Sequence, residues 1–288
     1  RKLEKEEELK NIRIFRVGWG AYSDKFLFPI LGFLTARRLF RRYNYEMIHA
    51  YQASHSAGAA WLLKLADPRL KLILTLQEGK NLENQNFLIN FFRRLIIKRA
   101  DIITAISGYL RGYARHINKK AKIIVIPNGV DIDNFSKEPS YGELSSFKDR
   151  LGIKPDDKII ISVSRLVSKN GIDVLIDAFS TLKKQRSELS LKLLIIGEGP
   201  EKVFLELQAA AYGLSDRINF IGSVSNSEVP KYLKIADLFV RPSRSEGLGN
   251  AFLEAMVAGV PIIGTKIGGI IDFLKDPSSG SGRATGLF

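Results

Sequence analysis

Two carboxylates eight positions apart, Glu246 and Glu254, carry the clearest chemistry in this 288-residue sequence. The first lies in Arg241-Pro242-Ser243-Arg244-Ser245-Glu246-Gly247-Leu248-Gly249-Asn250, a glycine-bearing loop after the apolar strand Leu238-Phe239-Val240. The second lies in a short helix that Gly259 can cap and Pro261 can stop. A glycine loop can approach a ligand closely, and a helix N-terminus next to it favours an anion such as diphosphate. An ionised acid is a pure acceptor, so carboxylates on either side suit vicinal hydroxyl groups. Diphosphate flanked by polyols describes a nucleotide-sugar.

The stretch E-G-L-G-N-A-F-L-E-A-M-V-A-G-V-P-I-I-G-T, followed by Gly268-Gly269, closely resembles the donor site of the GT4 group of retaining glycosyltransferases. Upstream, Ile126-Pro127-Asn128-Gly129-Val130-Asp131, Ser164-Arg165-Leu166 and Ile196-Gly197-Glu198-Gly199-Pro200-Glu201 fall in that family's order. Asp216-Arg217-Ile218-Asn219-Phe220-Ile221-Gly222 and Ala236-Asp237-Leu238 follow, so the resemblance runs from about Glu46 to Phe288. It implies a GT-B fold and transfer of a hexosyl unit from a nucleoside-diphosphate sugar to an acceptor hydroxyl. Retention of anomeric configuration and independence of metal come with it. Cell-envelope polysaccharide or glycolipid synthesis is the expected setting, in the cytoplasm at the inner face of the plasma membrane.

By that resemblance, Glu254 holds the ribose hydroxyls and Glu246 lies close to the transferred sugar, with the backbone amides of Gly247, Leu248, Gly249 and Asn250 nearby. Pro242 and Ser243 flank the base. Arg165, after an apolar strand and before Gly171, suits diphosphate, because a guanidinium grips it bidentately and neutralises charge on the leaving nucleotide. The family adds a lysine immediately before the glycine, where this chain has Asn170. Lys169 is adjacent and is the donor-binding candidate there, although on a regular element it would point elsewhere. Gly197, Glu198 and Gly199 either line the nucleotide pocket or form a plain strand-to-helix turn. Lys202 and Val203 stand where a dinucleotide fingerprint needs its third glycine, which argues against an NAD site. On the acceptor side the family often has histidine where Tyr51 and Gln77 stand. Gln77 and His55 are the candidates there, and His49 reads as a hydrogen-bonded core residue. The leaving phosphate can itself take the acceptor proton, so the reaction does not require a protein base.

The elements that must position these residues alternate. Apolar runs at Ile12–Val17, Met47–Ala50, Leu72–Leu76, Ile102–Ala105 and Ile123–Ile126 alternate with helical stretches at Ala57–Ala66, Phe87–Lys98 and Gly108–His116. The alternation resumes from Ile159–Val163 to Val260–Gly264. Apolar strands separated by helices imply α/β architecture with parallel sheets covered on both faces. Two doubly wound Rossmann-like domains facing across a cleft are expected: an acceptor-side domain over residues 1–135, a linker over 136–157, and a donor domain over 158–288. Relative to the family, the opening strand and glycine loop and the C-terminal end look missing.

Composition limits the alternatives. Hydrophobic residues make up 45% and charged residues 26%, as in soluble globular proteins. No cysteine exists to form a disulfide or a thiolate nucleophile. Three histidines without paired spacing offer no metal site, and Asp131-Ile132-Asp133 reads as turn chemistry. The net charge of +14 is concentrated in residues 1–135, where 24 Lys+Arg face 12 Asp+Glu. That asymmetry calls for an anionic partner: lipid head groups, a phosphorylated acceptor or nucleic acid. Nucleic acid is disfavoured, since aromatic-basic interleaving, zinc spacing and helix-turn-helix signals are all missing. Ala36-Arg37-Arg38-Leu39-Phe40-Arg41-Arg42-Tyr43 gathers its arginines on one helical side, and Phe91–Arg99 is a second basic-apolar stretch. Both suit an anionic membrane and a sugar or lipid-linked acceptor. A sugar-nucleotide epimerase or phosphorylase of the same fold is the alternative activity.

Overall fold

Lys158-Ile159-Ile160-Ile161-Ser162-Val163 shows how the strands are made. Ile159 and Ile161 turn into one buried cluster and Ile160 into another on the opposite face. A strand apolar on both sides needs cover on both sides, which helical crossovers of a parallel sheet provide. The computed structural model describes residues 4–21, 23–79, 82, 85–274 and 286–287, and the chain divides into two compact units, Arg1–Pro127 and Asn128–Phe288. Its fold is GT-B.

The first unit contains β1 (Glu6–Leu9), β2 (Ile12–Phe15), α1 (Asp24–Tyr43), β3 (Met47–Tyr51), α2 (His55–Ala66), β4 (Lys71–Leu76), α3 (Phe87–Arg99), β5 (Ile102–Ala105), α4 (Gly108–Ile117) and β6 (Lys122–Val125). Strands β3-β4-β5-β6 form a parallel sheet in sequential order. β1 and β2 pair antiparallel as a separate hairpin, so the run at Ile12 does not join the parallel sheet as expected. Asn86 and Ser107 cap α3 and α4. α1 passes through Pro29 and Gly32 without ending. The two residues serve packing: a Cβ on Gly32 would stand 3.0 Å from Ala59, and one on Gly58 3.0 Å from Pro29. Small residues at the crossing let α1 and α2 approach closely.

The second unit contains α5 (Ile132–Phe135), α6 (Tyr141–Arg150), β7 (Lys158–Val163), α7 (Ile172–Gln185), β8 (Leu191–Ile196), α8 (Lys202–Ala211), β9 (Ile218–Gly222), α9 (Val229–Lys234), β10 (Leu238–Arg241), α10 (Asn250–Val257), β11 (Ile262–Gly264) and β12 (Gly286–Leu287). Short 3-10 turns cover Ser168–Asn170 and Gly268–Asp272. The unit begins at Asn128 rather than after residue 135, and residues 136–157, expected as a linker, are built into it. Phe135 is fully buried there, and Leu144, Phe147 and Leu151 of the α6 region pack against the same core. A capping box between Ser140 and Glu143 starts α6. Few apolar residues among many charges hid this helix from the sequence pattern.

The sheet order is β12-β11-β10-β7-β8-β9, all parallel. The chain builds outward from β7 to β9, returns to pair β10 on the other side of β7, and builds outward again. The winding therefore reverses between β7 and β10. In open parallel sheets a ligand crevice forms at that reversal, beyond the carboxyl ends of the two strands. Arg165 follows β7, and the loop bearing Glu246 follows β10.

Candidate donor site in the second unit

The loops leaving β7 and β10 are tied to each other at several points. The backbone N–H of Arg244 donates to the Lys169 carbonyl at 2.7 Å, and its guanidinium donates to the Ser168 carbonyl at 2.6 Å. The same guanidinium grips Asp173, at the start of α7, through both carboxylate oxygens at 2.8 and 2.6 Å. Arg244 holds the Asp173 carboxyl below its ordinary range, against a smaller opposing effect of burial. Gly171, at φ +69°, lies so close to Pro242 that a Cβ would come within 2.0 Å of its carbonyl oxygen.

Glycine on β8's loop brings a third strand end into the site. A Cβ on Gly197, at φ +134°, would sit 1.8 Å from the Ser164 oxygen, and one on Gly199 would sit 2.2 Å from the Leu166 oxygen. Leu166 N–H donates to the Glu198 carbonyl at 2.9 Å. These glycines press the β8 loop against the Arg165 loop. The Glu198 side chain pairs instead with Lys202 at 2.8 Å, on the first turn of α8. Buried Asn170 donates to the Arg165 carbonyl at 2.7 Å, so the residue in the family's lysine position supports the arginine's backbone. Arg165 itself is exposed and has no side-chain ion pair among the described residues.

Glu246 is buried at 8% exposure and is held at both oxygens. Arg241, the last residue of β10, donates to Oε1. Lys169 reaches Oε2 at 3.3 Å, contrary to the expectation that it would point elsewhere. The reason is local: Lys169 lies on a 3-10 turn, where successive side chains diverge by about 120°, so Lys169 faces Glu246 while Asn170 turns inward. Ser243 is buried and accepts from Arg241 Nε at 3.0 Å. Gly247, Leu248 and Gly249 are buried behind Glu246. Gly249, at φ +91°, is the N-cap of α10. Asn250 is exposed on the first turn and accepts from Asn128 at 3.2 Å.

Glu254 stands on the second turn of α10, partly buried. Burial raises its carboxyl above the usual range, and Arg241 opposes that rise. The Arg241 guanidinium is pushed down to about 10, first by burial and further by Arg165, while Glu254 works the other way. Arg165, Arg241, Glu246 and Glu254 thus share one electrostatic neighbourhood. The structure brings the sequence candidates of the second unit together at the sheet reversal, apart from the Glu198 side chain. Arg241 was missed. A signal existed, because alternation along β10 puts Arg241 on the buried face with Phe239.

A profile described as "Glycosyl transferases group 1" matches residues 145–283, and one described as "Glycosyltransferase Family 4" matches residues 1–134. The chain belongs to the group 1, family 4 glycosyltransferases. A GDP-mannose-dependent α-(1-6)-phosphatidylinositol monomannoside mannosyltransferase of Mycobacterium tuberculosis is 32% identical over 62% of this glycosyltransferase chain and 48% of its own length. An α-monoglucosyldiacylglycerol synthase of Streptococcus pneumoniae is 27% identical over 89% of this chain and 60% of its own. The chain thus spans about half to three fifths of the length of these relatives. Among solved structures, sucrose-phosphate synthase from Thermosynechococcus elongatus superposes with TM-score 0.79 at 20% identity, covering 94% of this chain and 70% of that one. Anabaena HepE in complex with UDP-glucose gives 0.73 at 22% identity, covering 84% and 66%. At these identities both speak for the fold.

In the first unit, His55 opens α2 and is exposed, its ring edge-on to Phe26 at 5.5 Å. Gln77 is half-buried just past β4, so both lie at carboxyl ends of the parallel sheet. His49 accepts from or donates to Thr75 Oγ1 at 2.7 Å but lies exposed on edge strand β3 rather than in the core. Asp131 caps α5 through Asn134 N–H, which is turn chemistry. No cluster of potential metal ligands occurs among the described residues.

Proposed function

We propose that this glycosyltransferase moves a hexosyl unit from a nucleoside-diphosphate sugar to an acceptor hydroxyl with retention and without a metal ion. The observation that supports this most is the placement of Arg165, Lys169 and Glu246 on loops tied together by Arg244 at one sheet reversal, with Glu254 on the helix that follows. In this reading Arg165 and Lys169 take the diphosphate, with the α10 N-terminal amides of Gly249 and Asn250 beside it. Gly197 and Gly199 hold the Arg165 loop in place. Pro242 and Ser243 border the base, Glu254 accepts from the ribose hydroxyls, and Glu246 accepts from the sugar. The bond from the anomeric carbon to phosphate oxygen breaks, and the acceptor oxygen bonds to that carbon on the same face. The acceptor proton passes to the departing phosphate, whose charge Arg165 and Lys169 offset.

The test is thermal unfolding and calorimetry with UDP-, GDP- and ADP-sugars. One donor at a hundredfold excess over its Kd should stabilise the protein by about 2.7 kcal/mol. Arg165→Ala and Lys169→Ala should each lose much of that gain. No response to any nucleotide-sugar would sink the reading. Mass spectrometry of the incubated donor separates transfer from epimerisation or phosphorolysis.

The acceptor, on this reading, is sugar or lipid-linked and meets the first unit near His55 and Gln77, at an anionic membrane on its cytoplasmic side. The exposed stripe of α1 supports it: Phe26, Leu27, Ile30 and Leu34 lead into Arg37, Arg38, Arg41 and Arg42. Leu34, Arg37, Arg38 and Arg41 wall a shallow groove of about 360 Å³. Phe87, Leu88, Phe91 and Phe92 are exposed on α3. Arg93, counted with the second basic stretch, is instead buried, donating to Ala53, Asn90 and Gln85. An acidic hairpin strand, Glu6 to Glu8, borders Arg38 and Arg42 and tempers their charge. No helix of the described residues is long and apolar enough to cross a membrane.

A further inference from the structure

We propose that Arg241 is a positioning residue, a buried cation that fixes the Glu246 carboxylate for the sugar of the donor without touching the donor itself. The inference rests on the donor-site reading above and deepens it.

Arg241 has no room to act as a ligand-binding arginine. Its side chain keeps 7% exposure and its polar reach is spent inside the protein. Nε donates to Ser243 Oγ at 3.0 Å, one terminal nitrogen donates to the Val163 carbonyl at 3.3 Å, and the other donates to Glu246. The guanidinium carbon lies 5.2 Å from the centre of the Phe252 ring, so one face of the cation is covered as well. Val163 ends β7 and Phe252 lies on α10, so one planar group ties Glu246 to both strands at the reversal and to the helix bearing Glu254.

Lys169 differs. It meets the other oxygen of Glu246 from a side chain that keeps 24% exposure, so it can serve Glu246 and an incoming anion in turn. Glu246 therefore has one oxygen held by a buried cation and the other paired with a more exposed one. A carboxylate so held has a single orientation, and its remaining lone pairs can accept from a sugar hydroxyl at a fixed point. An isolated charge on either partner would be costly to bury, so the pair stands or falls together.

The experiment measures affinities of wild type, Arg241→Met, Arg241→Lys, Glu246→Gln and the Arg241→Met/Glu246→Gln double variant. The probes are UDP and GDP against UDP-glucose and GDP-mannose, with thermal unfolding alongside. Arg241→Met should weaken the sugar-nucleotide about tenfold or more, the scale of losing a held charged contact, while the bare diphosphate changes little. Arg241→Lys should restore part of the loss, and the double variant should bind no worse than Glu246→Gln alone. Equal losses for diphosphate and sugar-nucleotide, or additive single effects, would show general support of the fold and overturn the proposal. Should Arg241→Met not fold, Arg241→Lys decides by the same selectivity. If wild type binds a nucleotide-sugar and Arg241 variants bind it equally well, this inference alone fails. If wild type binds none of these probes and no ADP-sugar, the donor-site reading fails and takes this one with it.

Discussion

Gly268→Ala should separate backbone geometry from general stability at the proposed donor site. Gly268 opens the 3-10 turn after β11 and lies at φ +55°, where a Cβ would stand 2.0 Å from the Glu246 carbonyl oxygen. Real Cβ atoms keep at least 3.0 Å from such neighbours, so about 1 Å must be found by moving one backbone or the other. The neighbouring Gly269 N–H also donates to that carbonyl, at 3.3 Å, so the turn is a cradle for Glu246. The left-handed conformation costs an alanine roughly 1–2 kcal/mol, and forced repacking adds roughly 1–3 kcal/mol. Urea unfolding should therefore register a loss of about 2–5 kcal/mol. A misplacement of about 1 Å at a reacting centre lowers turnover by roughly a hundredfold. Gly213→Ala is the control, because Gly213 has φ +66° but nothing within 4 Å of the added Cβ. That variant should lose only the strain, about 1–2 kcal/mol, and keep sugar-nucleotide affinity and turnover. Indistinguishable unfolding midpoints for the two variants, or full turnover in Gly268→Ala, would refute the reasoning from close approach.

Asp157 has a fully buried side chain that accepts from Ser190 Oγ at 2.6 Å and Lys154 N–H at 2.8 Å. Burial works to raise its pKa, but these bonds and Arg217 prevail and hold it below the ordinary 3.8. A carboxylate lowered in the folded state stabilises above its unfolded pKa and loses that contribution as pH falls through the folded value. Asp157→Asn should therefore cost about 1–3 kcal/mol in urea unfolding at pH 7 and clearly less near pH 3; an equal cost at both would remove the charge from the explanation. For the first unit, flotation with anionic liposomes at low salt should recover the protein, and neutral liposomes or high salt should not. Arg37→Glu/Arg41→Glu should abolish recovery, since each basic residue near an anionic leaflet contributes about 1 kcal/mol. Equal recovery with neutral liposomes would favour a soluble acceptor.

The strands were legible because both faces of each are apolar: Ile159, Ile160 and Ile161 cannot all be buried unless the sheet is covered twice. Helix α10 was legible from its stops, and Gly259 does sit at φ +79° just past its end. The hairpin β1–β2 escaped because Glu6, Glu7 and Glu8 have little strand preference, and its ion pairs, Arg16 with Glu7 and Arg13 with Glu8, exist only once the two strands have paired. α6 escaped for a different reason: its apolar residues are too few to make a period, and its start is set by one capping box.

The site residues follow a similar division. Glycines with a function in backbone approach, such as Gly197 and Gly171, stand at fixed places in the chain, so pattern alone finds them. Charged side chains are harder, because sequence gives their order but not their direction. Lys169 and Asn170 exchange the expected directions through a single 3-10 turn, and Arg241 turns inward because β10 alternates. The two cations, 72 residues apart in the chain, then meet at Glu246, and it is the winding of β7 beside β10 that brings Lys169 there. A carboxylate held by one buried and one accessible cation is suited to a ligand that brings its own negative charge beside neutral hydroxyls. The diphosphate can engage the accessible lysine while the hydroxyls meet the fixed acid. That pairing of demands is the chemistry of a nucleotide-sugar.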